Sequence, residues 1–430
     1  MLTPEAVNLC FYALASLGGL YKISTWLKSR KDSSEEFRKL QIRYFSVHMF
    51  FNAGLILQGP YVYKLYIENG LSSSQIAQLQ ALFNLSAALF GFFVGPVLDF
   101  VGHRILIFIC ISCSMIASVL RGIGGYLNFL IAIILVSFCA PMNKVAFEDW
   151  FFIEESLFKE KGEYHFTFSQ NSAIVSLIIS ILSAPIGNQI ALNFNTSYVF
   201  FVSVVLMSIA VICTFICIPK TLGSKKSQDS NGMSQMIKSI KGHKENRFSA
   251  FLALDILYGI VGLIYLPRMN SFFIVPNIKY PLASISGIHN VCTLFGSVFS
   301  SIISPQINAS YGTLVFTSLS TMFFFLMSTY IENKSLLLFF LCCVGVSDGG
   351  ITSTFLGMKK YMYPSENRAR LLGVIKFVTS LVSSIVLIYT KKIDPSIVLI
   401  ISSVLCAMCS IVAIIMINIK PTKVTHKKEE

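Results

Sequence analysis

The sequence predicts an all-α, polytopic membrane protein, on three observations. Of its 430 residues, 54% are hydrophobic and only 13% are charged, where a soluble domain carries about 25% charged residues to keep its surface wet. The charges gather in short islands between apolar runs of roughly 20 residues, the length that crosses a hydrocarbon core. The runs are apolar on nearly every face, as in Val404 to Ile417, whereas barrel strands alternate apolar and polar side chains. Backbone in lipid must satisfy its own hydrogen bonds, so each run is expected to be a helix.

Thirteen spans are expected, near 4–27, 44–66, 75–98, 104–121, 126–150, 167–192, 197–219, 248–274, 283–306, 312–331, 335–358, 370–390 and 395–419. The first lacks the basic start and small-residue cleavage site of a secretory signal. Residues 1–43 therefore read as a retained extra helix followed by a hydrophilic segment. The longest polar stretch, 220–247, divides the other twelve spans into halves at 44–219 and 248–419 and leaves a tail at 420–430. Within 220–247, Met233, Met236, Ile237 and Ile240 recur at helical spacing among lysines. That pattern suits either a helix lying on the bilayer surface or a disordered linker. The halves echo each other: Pro60 is matched by Pro267, 207 residues on, and Pro96 by Pro305, 209 residues on. Matched offsets are what a duplicated six-helix unit leaves behind, and such duplication builds transporters with a site between two rocking halves.

The net charge of +13 is placed for a membrane and not for a nucleic acid. With 28–43 set on one face and the spans alternating, 24 of the 34 Lys and Arg fall on that face. Seven fall opposite, and Lys22, Lys144 and Lys376 lie within spans. By the positive-inside bias the basic face is cytoplasmic, with Glu430 inside and, for an odd number of spans, Met1 outside. All eleven cysteines sit in spans; the CxxC spacings at Cys110/Cys113 and Cys406/Cys409 read as helix packing before redox or zinc chemistry. HExxH, P-loop, GxSxG and paired membrane-aspartyl motifs are all missing from the sequence. The expectation is a protein that is not an enzyme and uses neither metal nor cofactor. The sequons at Asn195 and Asn333 fall in loops too short to favour a glycan.

The loop after the second core span reads Gly95-Pro-Val-Leu-Asp99-Phe-Val-Gly102-His-Arg104. It resembles the helix 2–3 signature of the major facilitator superfamily, which implies a twelve-helix core of two six-helix halves, here with one extra N-terminal helix. The physical logic is that Gly95 and Gly102 permit close backbone approach, Asp99 can face a helix N-terminus and Arg104 can pair with Asp99. The implied role of Gly95, Asp99, Gly102 and Arg104 is conformational gating; the bland alternative is a tight polar turn.

The resemblance sharpens at Gln58-Gly-Pro60-Tyr61-Val-Tyr63-Lys64-Leu65-Tyr66, then Gln75-Ile-Ala77 and Leu89-Phe90-Gly91. With Ala146-Phe147-Glu148-Asp-Trp150 and Lys359-Lys360-Tyr-Met-Tyr-Pro364-Ser-Glu366, the chain is similar to the eukaryotic molybdate-anion transporter family. That likeness implies secondary transport of a small polar, anionic solute, molybdate or a similar oxyanion, by alternating access, with core spans 1, 4, 7 and 10 lining the cavity. The chain departs from the family pattern where Leu55 replaces an acid, Ile133 and Gln170 stand in place of arginines, and Gly373 and Lys376 replace Asn and Arg. An oxyanion needs cationic or N–H donors in a dry site, so these departures favour an organic solute such as a sugar or amino acid as the alternative. A non-transporting sensor on the same scaffold is a third reading. The partners expected are the solute and the bilayer, with a monomer placed in the plasma membrane ahead of an internal one.

Charges inside spans are costly and mark function. Lys144 could hold an anion or pair with Glu148 four residues on; Lys376 could do the same or reach the cytoplasm. Asp348, among Gly345, Gly349 and Gly350, reads as a proton- or cation-coupling residue or as the buried partner of a lysine, and Asp255 is more ambiguous. Gln58, Tyr61, Asn84, Gln170 and Asn290 are expected on the cavity wall, together with Asn52, Asn171, Tyr258 and His289. Each could equally be a helix–helix hydrogen bond.

Overall fold

Apolar runs become helices throughout the computed structural model, which describes residues 2–29, 35–156, 164–219, 246–274, 280–303, 309–363, 368–389 and 395–419. Helix α1 is Pro4–Ser29, outside the core. The first half comprises α2 Glu35–Gln58, α3 Val62–Glu68, α4 Ser73–Val101, α5 His103–Ile123, α6 Tyr126–Ser156, α7 Tyr164–Asn193 and α8 Thr196–Cys217. The second comprises α9 Asn246–Tyr265, α10 Leu282–Ile303, α11 Ala309–Thr329, α12 Lys334–Met362, α13 Arg368–Tyr389 and α14 Pro395–Asn418. Among the described residues there is no strand, and ten helices are long and apolar enough to cross a membrane. Every expected span coincides with a helix, the second being shared by α2 and α3.

Local chemistry sets the boundaries. Pro60 lacks the amide proton that a continuing helix needs, so the span at 44–66 breaks at a 3-10 turn, Gly59–Tyr61, before resuming as α3. Its counterpart Pro267 sits near the start of another 3-10 segment, Leu266–Phe273, directly after α9. The offset read from the sequence is thus the same device used once in each half. Pro96 lies inside α4, while Pro305 falls outside the described residues. At the start of α4, Ser72 Oγ accepts from the Gln75 amide at 3.3 Å and Gln75 Oε1 accepts from the Ser72 amide at 2.8 Å, a reciprocal cap. Both sequon asparagines cap helices too. Asn195 accepts from the Ser197 amide and Asn333 from those of Ser335 and Leu336, which accounts for asparagine there without a glycan. Between α4 and α5 a single residue, Gly102, turns the chain at φ +81°, a conformation that costs other L-residues about 1 kcal/mol or more. The surface helix expected within 220–247 falls almost wholly outside the described residues.

Many hydroxyls in the spans are satisfied within their own helix. Ser203 donates to the Val199 carbonyl and Thr214 to that of Ala210, four residues back, so neither carries an unpaired donor into an apolar setting. The two halves meet along two seams, α4 with α13 and α7 with α10. In the first seam Gly373 lies against the Gly91 carbonyl, with no room for a Cβ. The glycine that departs from the family pattern is therefore a packing contact between halves. Two apolar layers hold the bundle. One, with Phe11, Tyr61, Phe200, Tyr265 and Ile288, lies toward the start of α1. The other, with Tyr44, Phe51, Trp150, Phe251 and Tyr363, lies toward the face rich in Lys and Arg, here called the basic face.

Candidate functional site

Between the halves lies a cavity of about 660 Å3. Its wall is built by Tyr44 and His48 of α2, Asn143 and Phe147 of α6, Asp255 and Tyr258 of α9, and Asp348 and Lys359 of α12. These helices are core spans 1, 4, 7 and 10. Ser172 and Ser176 of α7, Thr293 and Ser297 of α10, Phe355 of α12 and Lys376 of α13 also line it. A recess of about 70 Å3 shares Asp255, Lys359 and Lys376 with the main cavity.

The charges on the wall come with partners. Lys359 Nζ is 3.2 Å from Asp255 Oδ1, and Tyr363 donates its hydroxyl to Asp255 Oδ2 at 2.7 Å. The Tyr258 hydroxyl donates to Asp348 Oδ1. A carboxylate at this depth is tolerable only with such neutralising or donating neighbours. The α2–α6 side is aromatic. Tyr44 stacks on Trp150 with centroids 5.6 Å apart and meets Phe147 edge-on at 5.5 Å, while the His48 ring lies 5.0 Å from Tyr44 and 5.3 Å from Phe147. Across the cavity Tyr258 packs edge-on against Phe355 at 5.6 Å.

Of the residues singled out in the sequence, Asp255, Tyr258, Asp348 and Lys376 stand on this wall. Lys144 follows the wall residue Asn143 and Glu148 follows Phe147 on α6, but both side chains lie outside the described residues, as do those of Gln170 and Asn171 on α7. Four polar residues expected on the wall are placed elsewhere. Gln58 is buried and accepts from Ser118 of α5 at 3.1 Å. Tyr61 donates to Asn188 of α7 at 2.7 Å, and Asn290 donates to Ser180 across the α7–α10 seam at 2.9 Å. Asn84 is fully buried within α4, its amide without a hydrogen bond among the described residues. In three of the four a neighbouring helix supplies the partner a polar group needs in an apolar surround, which leaves the group no reason to face the cavity. Asn52 bonds to His48 within α2 at 2.9 Å.

Lys359 was expected only as part of a basic motif beyond the span and not on the wall, because the expected span stopped at 358, whereas α12 runs to Met362. Continuing the helical period from Asp348 through Thr352 and Phe355 would have found it. Nothing local marks its pairing with Asp255, 104 residues away in sequence.

The turn between α4 and α5 is tied to its own half. Arg104 Nη2 donates to the Phe215 carbonyl of α8 at 2.8 Å, and the guanidinium lies 5.0 Å from the centre of the Phe215 ring. His103 Nε2 sits 2.9 Å from Asp149 Oδ2 of α6. Gly95 and Asp99 fall in the last two turns of α4, with their side-chain positions outside the described residues, so the expected Arg104–Asp99 pair is not among the described contacts. Because the turn lies away from the cavity wall, Asp99→Asn is expected to slow transport while leaving solute affinity within about twofold. A group that biases access states without touching the solute acts on the equilibrium alone. Equilibrium binding measured beside initial uptake rates separates the two, and a parallel collapse of both would place Asp99 in the binding site. Among the described residues no group of three or more His, Cys, Asp or Glu is arranged to hold a metal ion.

Residues 44–387 match the family profile of the Major Facilitator Superfamily. Among solved structures, the nucleoside transporter NupG superposes with a TM-score of 0.62 at 13% identity, over 90% of this chain and 100% of that one. A mutant of NupG superposes with a TM-score of 0.65 at 14% identity, over 89% of this chain and 100% of that one. At such identities the likeness is one of fold. No curated protein matches the chain.

Proposed function

The chain belongs to the major facilitator superfamily, and from that premise we propose that it carries a small polar organic solute by alternating access through the central cavity. Membership makes it a multi-pass membrane transporter of a small solute and not an enzyme. The observation that carries the finer reading is the wall itself. Its volume of about 660 Å3 lies within the range of about 300–1,000 Å3 of sites for organic ligands. Tyr44, Phe147, Tyr258 and Phe355 offer ring faces and edges, and Asp255 with Lys359 and Asp348 with Tyr258 offer donors and acceptors in nearly balanced charge. A bare tetrahedral oxyanion needs neither the room nor the rings.

The second reading, molybdate or a similar oxyanion, draws on Lys359 and Lys376 on the wall and on the position of Lys144 beside Asn143. Uptake by purified protein in liposomes tests the two, across oxyanions and neutral or zwitterionic organic solutes, with and without a pH gradient. Lys376→Gln is expected to change organic-solute affinity by less than about threefold. For an oxyanion it would cost about tenfold or more, as losing a charge-assisted hydrogen bond does. Molybdate uptake exceeding that of every organic solute would overturn the primary reading, and failure of all solutes would favour a sensor.

A further inference from the structure

The helix outside the core is seated where the halves meet. α1 packs against α10 and, less extensively, against α7. Val7, Phe11 and Ala15 are buried at four-residue spacing while Leu9 and Leu17 are 73% and 59% exposed, the two faces of one helix. Phe11 fills the space beside Gly287 of α10, where a Cβ would meet its ring. Gly18 lies against Leu177 of α7 and Leu294 of α10. α1 thus touches both halves at once.

Over its first two turns a directional chain of hydrogen bonds runs through the seam. Tyr61 Oη donates to Asn188 Oδ1 at 2.7 Å, Asn188 Nδ2 donates to Ser284 Oγ at 3.0 Å, and Ser284 Oγ donates to Asn8 Oδ1 at 2.6 Å. Tyr280 adds a bond to the Leu2 carbonyl at 3.2 Å. Tyr61 and Asn188 belong to the first half, Ser284 and Tyr280 to the second. Ser284 has one hydroxyl proton; committing it to Asn8 leaves its oxygen to accept from Asn188. The α1 amide therefore orients the link that crosses the seam.

We infer that Asn8 is a gating residue: α1 straps the α7–α10 seam and favours the state in which the face opposite the basic one is closed. The inference rests on the alternating-access reading, because opening that face parts α7 from α10 and breaks the Asn188–Ser284 bond. A strap hydrogen-bonded to the second half and packed against α7 of the first must release one of them. The bonds are neutral and few, so the strap sets a ratio of states and does not lock one.

The test is a distance distribution between spin labels at Phe194, 74% exposed after α7, and exposed Glu332 between α11 and α12, in the full chain in lipid nanodiscs. Asn8→Ala and Ser284→Ala should each raise the open-to-closed ratio about fivefold, the size expected for one neutral hydrogen bond. The double variant should go little further than either alone, since both cut one chain. Asn8→Asp keeps the accepting oxygen and should stay near the original ratio, as should Leu9→Ala on the exposed face. A shift with Ser284→Ala but none with Asn8→Ala would end the gate at Ser284 and overturn the role of α1. If Asn8→Ala folds poorly, an Asn8→Asp ratio that departs as far as that of Ser284→Ala overturns it equally. One unchanging distance in every variant, with transport intact, would count against the rocking halves themselves.

Discussion

Leucine at Gly296 or Gly349 is expected to leave little or no folded protein after extraction. A Cβ on Gly296 of α10 would overlap the Val346 carbonyl and crowd the Gly350 amide of α12; one on Gly349 would overlap the Thr293 carbonyl. The obstacle on each side is backbone, which cannot turn aside as a side chain can. The whole α10–α12 pair would have to part, along one of the most extensive helix contacts in the molecule. Membrane helices associate through such close approach of small residues, and overpacking a site without give costs about 3 kcal/mol or more. Gly262, where an added Cβ would meet nothing within 4 Å, is the control: alanine there should be neutral or stabilising by up to about 1 kcal/mol. Gel filtration and thermal unfolding in detergent read both. A monodisperse Gly296→Leu protein with an unchanged melting point would mean that α10 and α12 do not cross this closely.

The second large effect is expected at Asp348. Asparagine keeps the shape and an oxygen to accept from Tyr258 while removing the charge from the cavity wall, so folding should survive. If Asp348 carries the coupling proton or cation, gradient-driven accumulation should fall on the order of 100-fold, the low end of what losing a proton-transferring group costs. Exchange of solute between two equally filled compartments, which needs no net coupling, should persist. Equal loss of both would make Asp348 a solute contact, and loss of neither would reduce it to a structural partner of Tyr258. The α10–α12 crossing and this carboxylate are linked, since Gly349 is the next residue and brings α12 onto Thr293 of the same wall.

The features legible in the residues alone are those that transfer into lipid and backbone hydrogen bonding dictate locally. Runs such as Thr196–Cys217 must be helical wherever they pack, and a chain whose Lys and Arg gather in alternate loops has few ways to thread a bilayer. The tight turn at Gly102 was legible too, because it needs only its own φ of +81° and its neighbours in sequence. Which polar atoms face the cavity depends instead on how the helices pack. Gln58, Tyr61 and Asn290 were as plausible on the wall as Asp348 and Lys376. Their fate depended on Ser118, Asn188 and Ser180, 60, 127 and 110 residues away. The pairing of Asp255 with Lys359 and the seating of α1 on the α7–α10 seam belong to the same class. A polar side chain in an apolar surround goes wherever a partner lies, and the partner's place is set by how helices distant in sequence are rotated and stacked, which no local pattern encodes.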